Sequence, residues 1–213
     1  MSDPNIYDAE YFLRGKESGK SLYQDYRWLP ELTIPMCQAI VDHCDIKKGE
    51  TILDFGCARG YSVKALRGLG YSAYGYDVSQ WALDNADPEV YHYLTRLNGV
   101  AFGPQVTYDW IIAKDVLEHV EYVENTIQKL VQFATKGIFV VVPLSKFSGG
   151  KYVVEEYEKD VTHKQRYPLA TWVAMFLRPG WVVEASYRVP GVKDNYAQHA
   201  TGNGFITARR IEE

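Results

Sequence analysis

The sequence predicts an α/β fold, doubly wound, with an open and mostly parallel sheet carrying helices on both faces, and three observations support this. Short apolar runs at 51–55, 71–76, 106–113 and 136–142 alternate with stretches of helical period, the pace of repeated β-α units. The run Lys136-Gly-Ile-Phe-Val-Val-Val142 is too short for a helix and has the uninterrupted apolar character of a central parallel strand. Polar or glycine residues follow three of the runs: Asp54-Phe-Gly-Cys-Ala-Arg-Gly60, Tyr74-Gly-Tyr-Asp77 and Lys114-Asp-Val-Leu-Glu-His119. They fall beyond the carboxyl ends of the strands, where open sheets bind ligands.

Residues 1–30 have no clean period but hold Tyr7, Tyr11, Phe12, Tyr23, Tyr26 and Trp28, enough aromatic surface to predict a packed cap. From Pro30, the residues Leu32, Ile34, Met36, Cys37, Ile40, Val41 and Cys44 give a mostly apolar helical face, which Asp45-Ile-Lys-Lys-Gly49 closes. A strand at 51–55 leads through the glycine loop into a helix over 60–69 that stops at Gly70. The strand at 71–76 follows, then Ser79 as the N-cap of a helix through Leu83. Residues 84–105 predict a helical middle and at most a short strand between Gly99 and Gly103. A strand at 106–113, a helix at 121–133 and the strand ended by Pro143 complete the central part. Residues 144–165 form an excursion longer than most connections, which marks it as functional. A helix over 168–177 and strands at 181–189 and 204–209 finish a single domain spanning 1–213.

Composition narrows the partners. The chain has 213 residues, 46% hydrophobic and 23% charged, with a net charge of -4 and no Lys/Arg stripe to meet nucleic-acid phosphates. Cys37, Cys44 and Cys57 have no metal-ligand spacing and are too few for a disulfide scaffold, pointing to a reducing, cytoplasmic setting. The polar N-terminus does not read as a signal peptide, and no apolar run approaches the length of a membrane span. His43, His92, His119, His163 and His199 are scattered, so no metal site is expected. A monomer or homodimer acting on a small molecule is the expectation.

The loop 54–60 is not the G-x-G-x-x-G of a dinucleotide enzyme. It resembles the first motif of class I S-adenosylmethionine-dependent methyltransferases, with Ala58 where a middle glycine is usual and a torsion open to alanine expected there. The segment Asp115-Val-Leu-Glu-His119 resembles one common in the small-molecule members of that class. The resemblance implies the Rossmann-like methyltransferase fold, a seven-stranded sheet with an antiparallel edge, and S-adenosylmethionine as cofactor. It implies that Gly56, Cys57, Ala58 and Gly60 approach the amino-acid end of the cofactor and that Asp54 orders the loop or meets the ammonium group through water. Asp77 would hold the ribose hydroxyls, with Val78 and Ser79 beside it, while Asp115 or the backbone of Ala113 and Lys114 would face the methionine part. Glu118 and His119 would start the next helix, His119 counting among the cofactor-side residues. Adenine contacts are not assigned by Asn98-Gly-Val-Ala-Phe-Gly-Pro-Gln105; Ser79, Gln80 and Trp81 are candidates.

For the acceptor, His163 in Asp160-Val-Thr-His163 is the expected general base, since imidazole titrates near neutrality and Asp160 is placed to orient it. The same histidine could equally brace its loop. Tyr11, Tyr23, Tyr26 and Trp28 from the arm, with Lys146 and Tyr152 from the excursion, are the expected acceptor-side residues beneath a lid-like insertion. A hydroxyl of a sugar or other metabolite is the leading acceptor. The rival readings are a nicotinamide-dependent oxidoreductase and a non-catalytic cofactor-binding protein.

Overall fold

The computed structural model describes residues 3–97 and 107–211. The arm opens with two short helices, α1 (Ala9–Leu13) and α2 (Gly15–Ser18), before α3 (Pro30–Cys44), β1 (Thr51–Phe55), α4 (Tyr61–Gly68), β2 (Ser72–Asp77) and α5 (Gln80–Asp84). The chain continues through β3 (Leu94–Arg96), β4 (Tyr108–Lys114), α6 (Val123–Phe133), β5 (Ala134–Pro143), α7 (Leu169–Ala174), β6 (Trp181–Ser186) and β7 (Asn203–Arg210). One seven-stranded sheet results, ordered β3-β2-β1-β4-β5-β7-β6. The first five strands in that order pair in parallel, and β7 lies antiparallel between β5 and β6.

Alternation along the strands builds two cores. Ile52, Trp110, Ile112, Phe139, Val141 and Phe205 face one side, where Cys37, Ile40 and Val41 of α3 and Val63 and Leu66 of α4 cover them. Leu53, Ile111, Ile138, Val140, Val142 and Ile206 face the other, beneath Ile127 and Leu130 of α6 and Trp172 of α7. This is the period-2 geometry of a strand buried on both faces. A helix of 15 residues, α3, tolerates Pro35 within its first two turns and ends with Asp45 in the left-handed region.

One expectation changes. The residues after α5 are not a helix: a 3-10 turn at Tyr91–Tyr93 runs directly into β3, which extends the sheet beside β2 through Gly75↔Leu94 and Asp77↔Arg96. As a three-residue edge strand with only Leu94 half-buried, β3 has no apolar run to announce it. The short strand expected between Gly99 and Gly103, and the segment 98–105 considered for adenine, lie outside the described residues.

The order reverses at β1, from which β2 and β4 run outward on either side. A crevice opens there at the carboxyl ends. The arm folds over it, and the excursion is tied to the arm. Ser79 Oγ donates to the Tyr7 carbonyl (2.6 Å), Tyr11 Oη to Asp160 Oδ2 (3.1 Å) and the Val161 amide to the Lys20 carbonyl (3.2 Å).

Candidate active site

The loop after β1 turns on left-handed residues. Gly56 has φ 84, Ala58 φ 48 and Gly60 φ 79, and Gly60 caps α4. A Cβ at Gly56 would stand 2.3 Å from Val116 Cγ2, so the close approach of this loop to the end of β4 requires glycine. The amides of Gly56 and Cys57 both donate to the Tyr76 carbonyl (2.7 and 3.0 Å), clasping the loop to β2. Ala58 therefore departs from the expectation of an ordinary torsion. It is held left-handed because its amide donates to Asp77 Oδ2 at 2.7 Å.

Asp77 is thus an organiser as well as a wall. Its Oδ1 accepts the Ser79 amide at 2.7 Å, so one carboxylate fixes the loops after β1 and β2 together. Burial raises its pKa, and these backbone donors work against that rise. Ser79 caps α5 and ties the arm, which makes its role here structural. Asp54, one residue before the end of β1, is buried, and burial pushes its carboxyl up to about 7; Lys114 opposes the shift and Asp77 adds to it.

At the end of β4, Asp115 adopts φ 56 and its amide donates to the Val141 carbonyl at 2.9 Å. Its carboxylate takes Lys114 Nζ at 2.5 Å and Lys193 Nζ at 2.6 Å. Burial works to raise this carboxyl, yet the two ammonium groups hold it well below the usual range. Lys193 also donates to Asn203 Oδ1 (2.9 Å) and stands 4.9 Å from the centre of the Tyr157 ring. It is itself buried to 9% side-chain exposure.

Beyond Asp115, a 3-10 turn at Leu117–His119 meets the excursion. The amides of Lys164 and Gln165 donate to the Glu118 carbonyl (2.7 and 2.9 Å), stitching the two segments together. Thr162 Oγ1 donates to Asp160 Oδ1 at 2.5 Å and lies 2.7 Å from His119 Nδ1. A hydroxyl has one proton, so Thr162 accepts from His119 Nδ1–H, which leaves Nε2 the basic nitrogen of a neutral ring. Burial lowers the pKa of His119. The His163 ring packs 4.7 Å from that of His119, centre to centre, and burial, reinforced by His119, drives its pKa down to about 4. Asp160 Oδ2 lies 4.0 Å from His163 Nε2. Asp160 therefore bonds Thr162 and Tyr11 rather than orienting His163.

These elements enclose a cavity of about 280 Å³. Of the residues singled out from the sequence, Gly56, Ala58, Asp77, Val78, Asp115, His119, Tyr11 and Tyr23 form its wall. Cys57, Gly60, Ser79 and Lys114 sit behind the wall as loop supports, and Asp54 lies beneath it in β1. Several acceptor-side expectations are displaced. Tyr26 packs against Phe12, Tyr23 and Tyr61, and Trp28 against Tyr61, so both brace the arm. Lys146 is exposed away from the cavity. Tyr152 is in the excursion's own small core, its hydroxyl donating to the Gln165 carbonyl at 2.7 Å. His163 stands behind His119 and off the wall. Sequence reasoning missed Val116, Asn125 and Lys129 on the wall, and Lys193 behind Asp115. It also treated the histidines as scattered, whereas folding brings ligand atoms of Glu118, His119 and His163 within 4.8 Å of one another.

A glycine loop after the first strand, a carboxylate closing the second and a ligand-sized crevice over a β3-β2-β1-β4-β5-β7-β6 sheet define a Rossmann-like methyltransferase fold. The chain belongs to the methyltransferase-domain family, which it matches over residues 33–186, and it is an S-adenosylmethionine-dependent methyltransferase. Solved structures share the fold. A SAM-dependent methyltransferase from Archaeoglobus fulgidus superposes with a TM-score of 0.66 at 14% identity, covering 85% of this chain and 95% of that one. The plantazolicin methyltransferase BpumL in complex with SAH gives 0.61 at 14%, covering 85% and 84%, and the YcgJ protein of Bacillus subtilis gives 0.60 at 12%, covering 84% and 99%. No curated protein sequence matches the chain. No helix among the described residues is long and apolar enough to cross a membrane.

Proposed function

We propose that this methyltransferase acts on a hydroxyl of a small metabolite, a sugar or an aromatic, within the cavity under the arm. The observation that carries this reading is the make-up of the wall, with the glycine loop and Asp77 on one side and Tyr7, Tyr11, Tyr23 and His119 on the other. The residues suit S-adenosylmethionine. Gly56 lets the loop approach Val116 closely at the cavity wall, and the buried Asp54, its carboxyl raised to about 7 with Lys114 only partly opposing the rise, suits the cation that the amino-acid end of the cofactor provides.

When bound, the cofactor supplies an activated methyl on a sulfonium; the protein supplies position and a dry site. Gly56 and Ala58 present backbone to the amino-acid end, and Asp77 presents acceptors to the ribose diol. Asp115 carries its neutralising lysines with it, so a fixed ion pair rather than a free charge borders the reacting region. Tyr7, Tyr11, Phe12 and Tyr23 close the arm over one side of the cavity and limit the access of water there. His163, set back and weakly basic, takes no proton directly in this reading. The proton of the acceptor hydroxyl is handled at the cluster around His119. The three cysteines are free and buried, which suits a cytoplasmic enzyme.

Calorimetric titration with S-adenosylhomocysteine tests the reading. Saturable binding by the native protein, lost in Tyr11→Ala less than in Asp77→Ala, is expected. Transfer from labelled cofactor to hydroxylated metabolites should then yield O-methyl products by mass. Failure of folded native protein to bind S-adenosylhomocysteine overturns the proposal, and products methylated only at nitrogen overturn the acceptor assignment.

A further inference from the structure

We propose that Glu118, His119 and His163 hold a divalent transition-metal ion at the edge of the cavity, where the ion binds oxygen atoms of the methyl acceptor. The inference rests on the cavity being the site of methyl transfer.

The three ligand atoms, one from each side chain, lie within 4.8 Å of one another, although 44 positions separate His119 from His163. Backbone bonds fix the approach, because the amides of Lys164 and Gln165 both donate to the Glu118 carbonyl. Glu118 Oε2 and His163 Nδ1 are buried with no hydrogen-bond partner. Their side chains are only 2% and 6% exposed. Folded proteins pair nearly all such groups, and two orphaned atoms in one cluster mark a missing ligand.

The third side chain is already arranged for ligation. Thr162 spends its proton on Asp160 and accepts from His119 Nδ1–H, fixing the tautomer that turns the lone pair of Nε2 toward Glu118, whose Oε1 is 4.0 Å away. A hydrogen bond on the far nitrogen is the outer-shell arrangement found around metal-bound imidazoles. Two imidazoles and one carboxylate favour zinc or a similar first-row ion over magnesium or calcium, which prefer oxygen alone. Asp115 is not a fourth ligand, since Lys114 and Lys193 already occupy its carboxylate. Three protein ligands leave one position of a four-coordinate ion open, and two when it expands to five, and His119 is the ligand that also lines the cavity. An ion there would hold an acceptor hydroxyl and ease loss of its proton to solvent. Acceptors with two neighbouring oxygens, such as vicinal diols or hydroxy-carbonyls, fit this site best because both can reach the ion.

The test is titration of the chelator-stripped full-length protein with zinc chloride by calorimetry and with cobalt chloride by visible absorbance. One ion per chain with ligand-field bands is expected. Glu118→Gln, His163→Asn and the outer-shell Thr162→Val should each weaken binding about tenfold or more. The absence of saturable uptake by native protein, or unchanged affinity in both Glu118→Gln and His163→Asn, overturns the proposal. If His163→Asn does not fold, the near-isosteric Glu118→Gln decides. S-adenosylhomocysteine titration of the same samples separates the two claims: metal lost with cofactor retained removes the ion site alone, whereas cofactor never bound with metal retained removes the cavity reading.

Discussion

Replacing Asp54 with Asn should stabilise the protein while weakening its hold on the cofactor. Burial raises the Asp54 carboxyl from 3.8 to about 7, a shift of about three units that corresponds to roughly 4 kcal/mol of disfavoured ionisation. The folded state holds this proton more tightly than the unfolded chain does. Its contribution to stability is therefore present at low pH, declines as pH rises from about 4 and is lost once pH passes about 7. The Asn variant has no such titration. Its advantage over the native protein should be near zero at about pH 4 and approach at most about 4 kcal/mol at about pH 8, reduced by any hydrogen bond its amide fails to make. For a chain of this size that limit corresponds to a Tm gain on the order of 10 °C. Urea unfolding of ligand-free native and variant protein across this pH range measures the gap. A gap that does not change with pH, or a variant less stable at about pH 8, would refute the claim that Asp54 is a buried, under-compensated carboxyl.

The same site gives three further expectations. Ala58→Gly should raise stability by about 1 kcal/mol, because φ 48 strains alanine and not glycine; thermal unfolding with no gain would show the torsion to be unstrained. Asp77→Ala removes the acceptor for the amides of Ala58 and Ser79, so it should cost roughly 1–3 kcal/mol and abolish S-adenosylhomocysteine binding, and calorimetry showing intact affinity would contradict the organising role. Cofactor affinity should fall as pH drops below about 7, by up to about tenfold per unit, because a cationic ligand favours ionised Asp54; titrations at several pH values should show this slope in native protein and its absence in Asp54→Asn.

Most of the sheet was legible because a buried parallel strand must be apolar throughout. The runs around Leu53, Ile111 and Val140 have no competing reading as surface helix. At β3 that signal disappears, since Thr95 and Arg96 are exposed and backbone pairing to β2 alone makes the strand. The glycine loop and Asp77 were readable as a ligand-facing edge because their residue types serve the turn directly. The torsion of Ala58 was not, since it depends on a carboxylate 19 positions later. Lys193 looks in the sequence like any surface lysine; only the fold seats it on Asp115 and beside Tyr157. The roles of His119 and His163 were likewise hidden, because the tautomer of one depends on Thr162 and the position of the other on the path of the excursion.

The arm that closes the cavity has a consequence for the order of assembly. It leaves the ribosome before the groups it docks on, since Tyr7 awaits Ser79 and Tyr11 awaits Asp160. Its tyrosines pack on one another at first, and their docking groups are complete only once the excursion has been made, so the arm seats after segments that follow it in the chain. A ligand trapped beneath the arm would then protect it from proteases and from amide exchange, so that the arm reports on occupancy of a pocket built largely by segments that follow it.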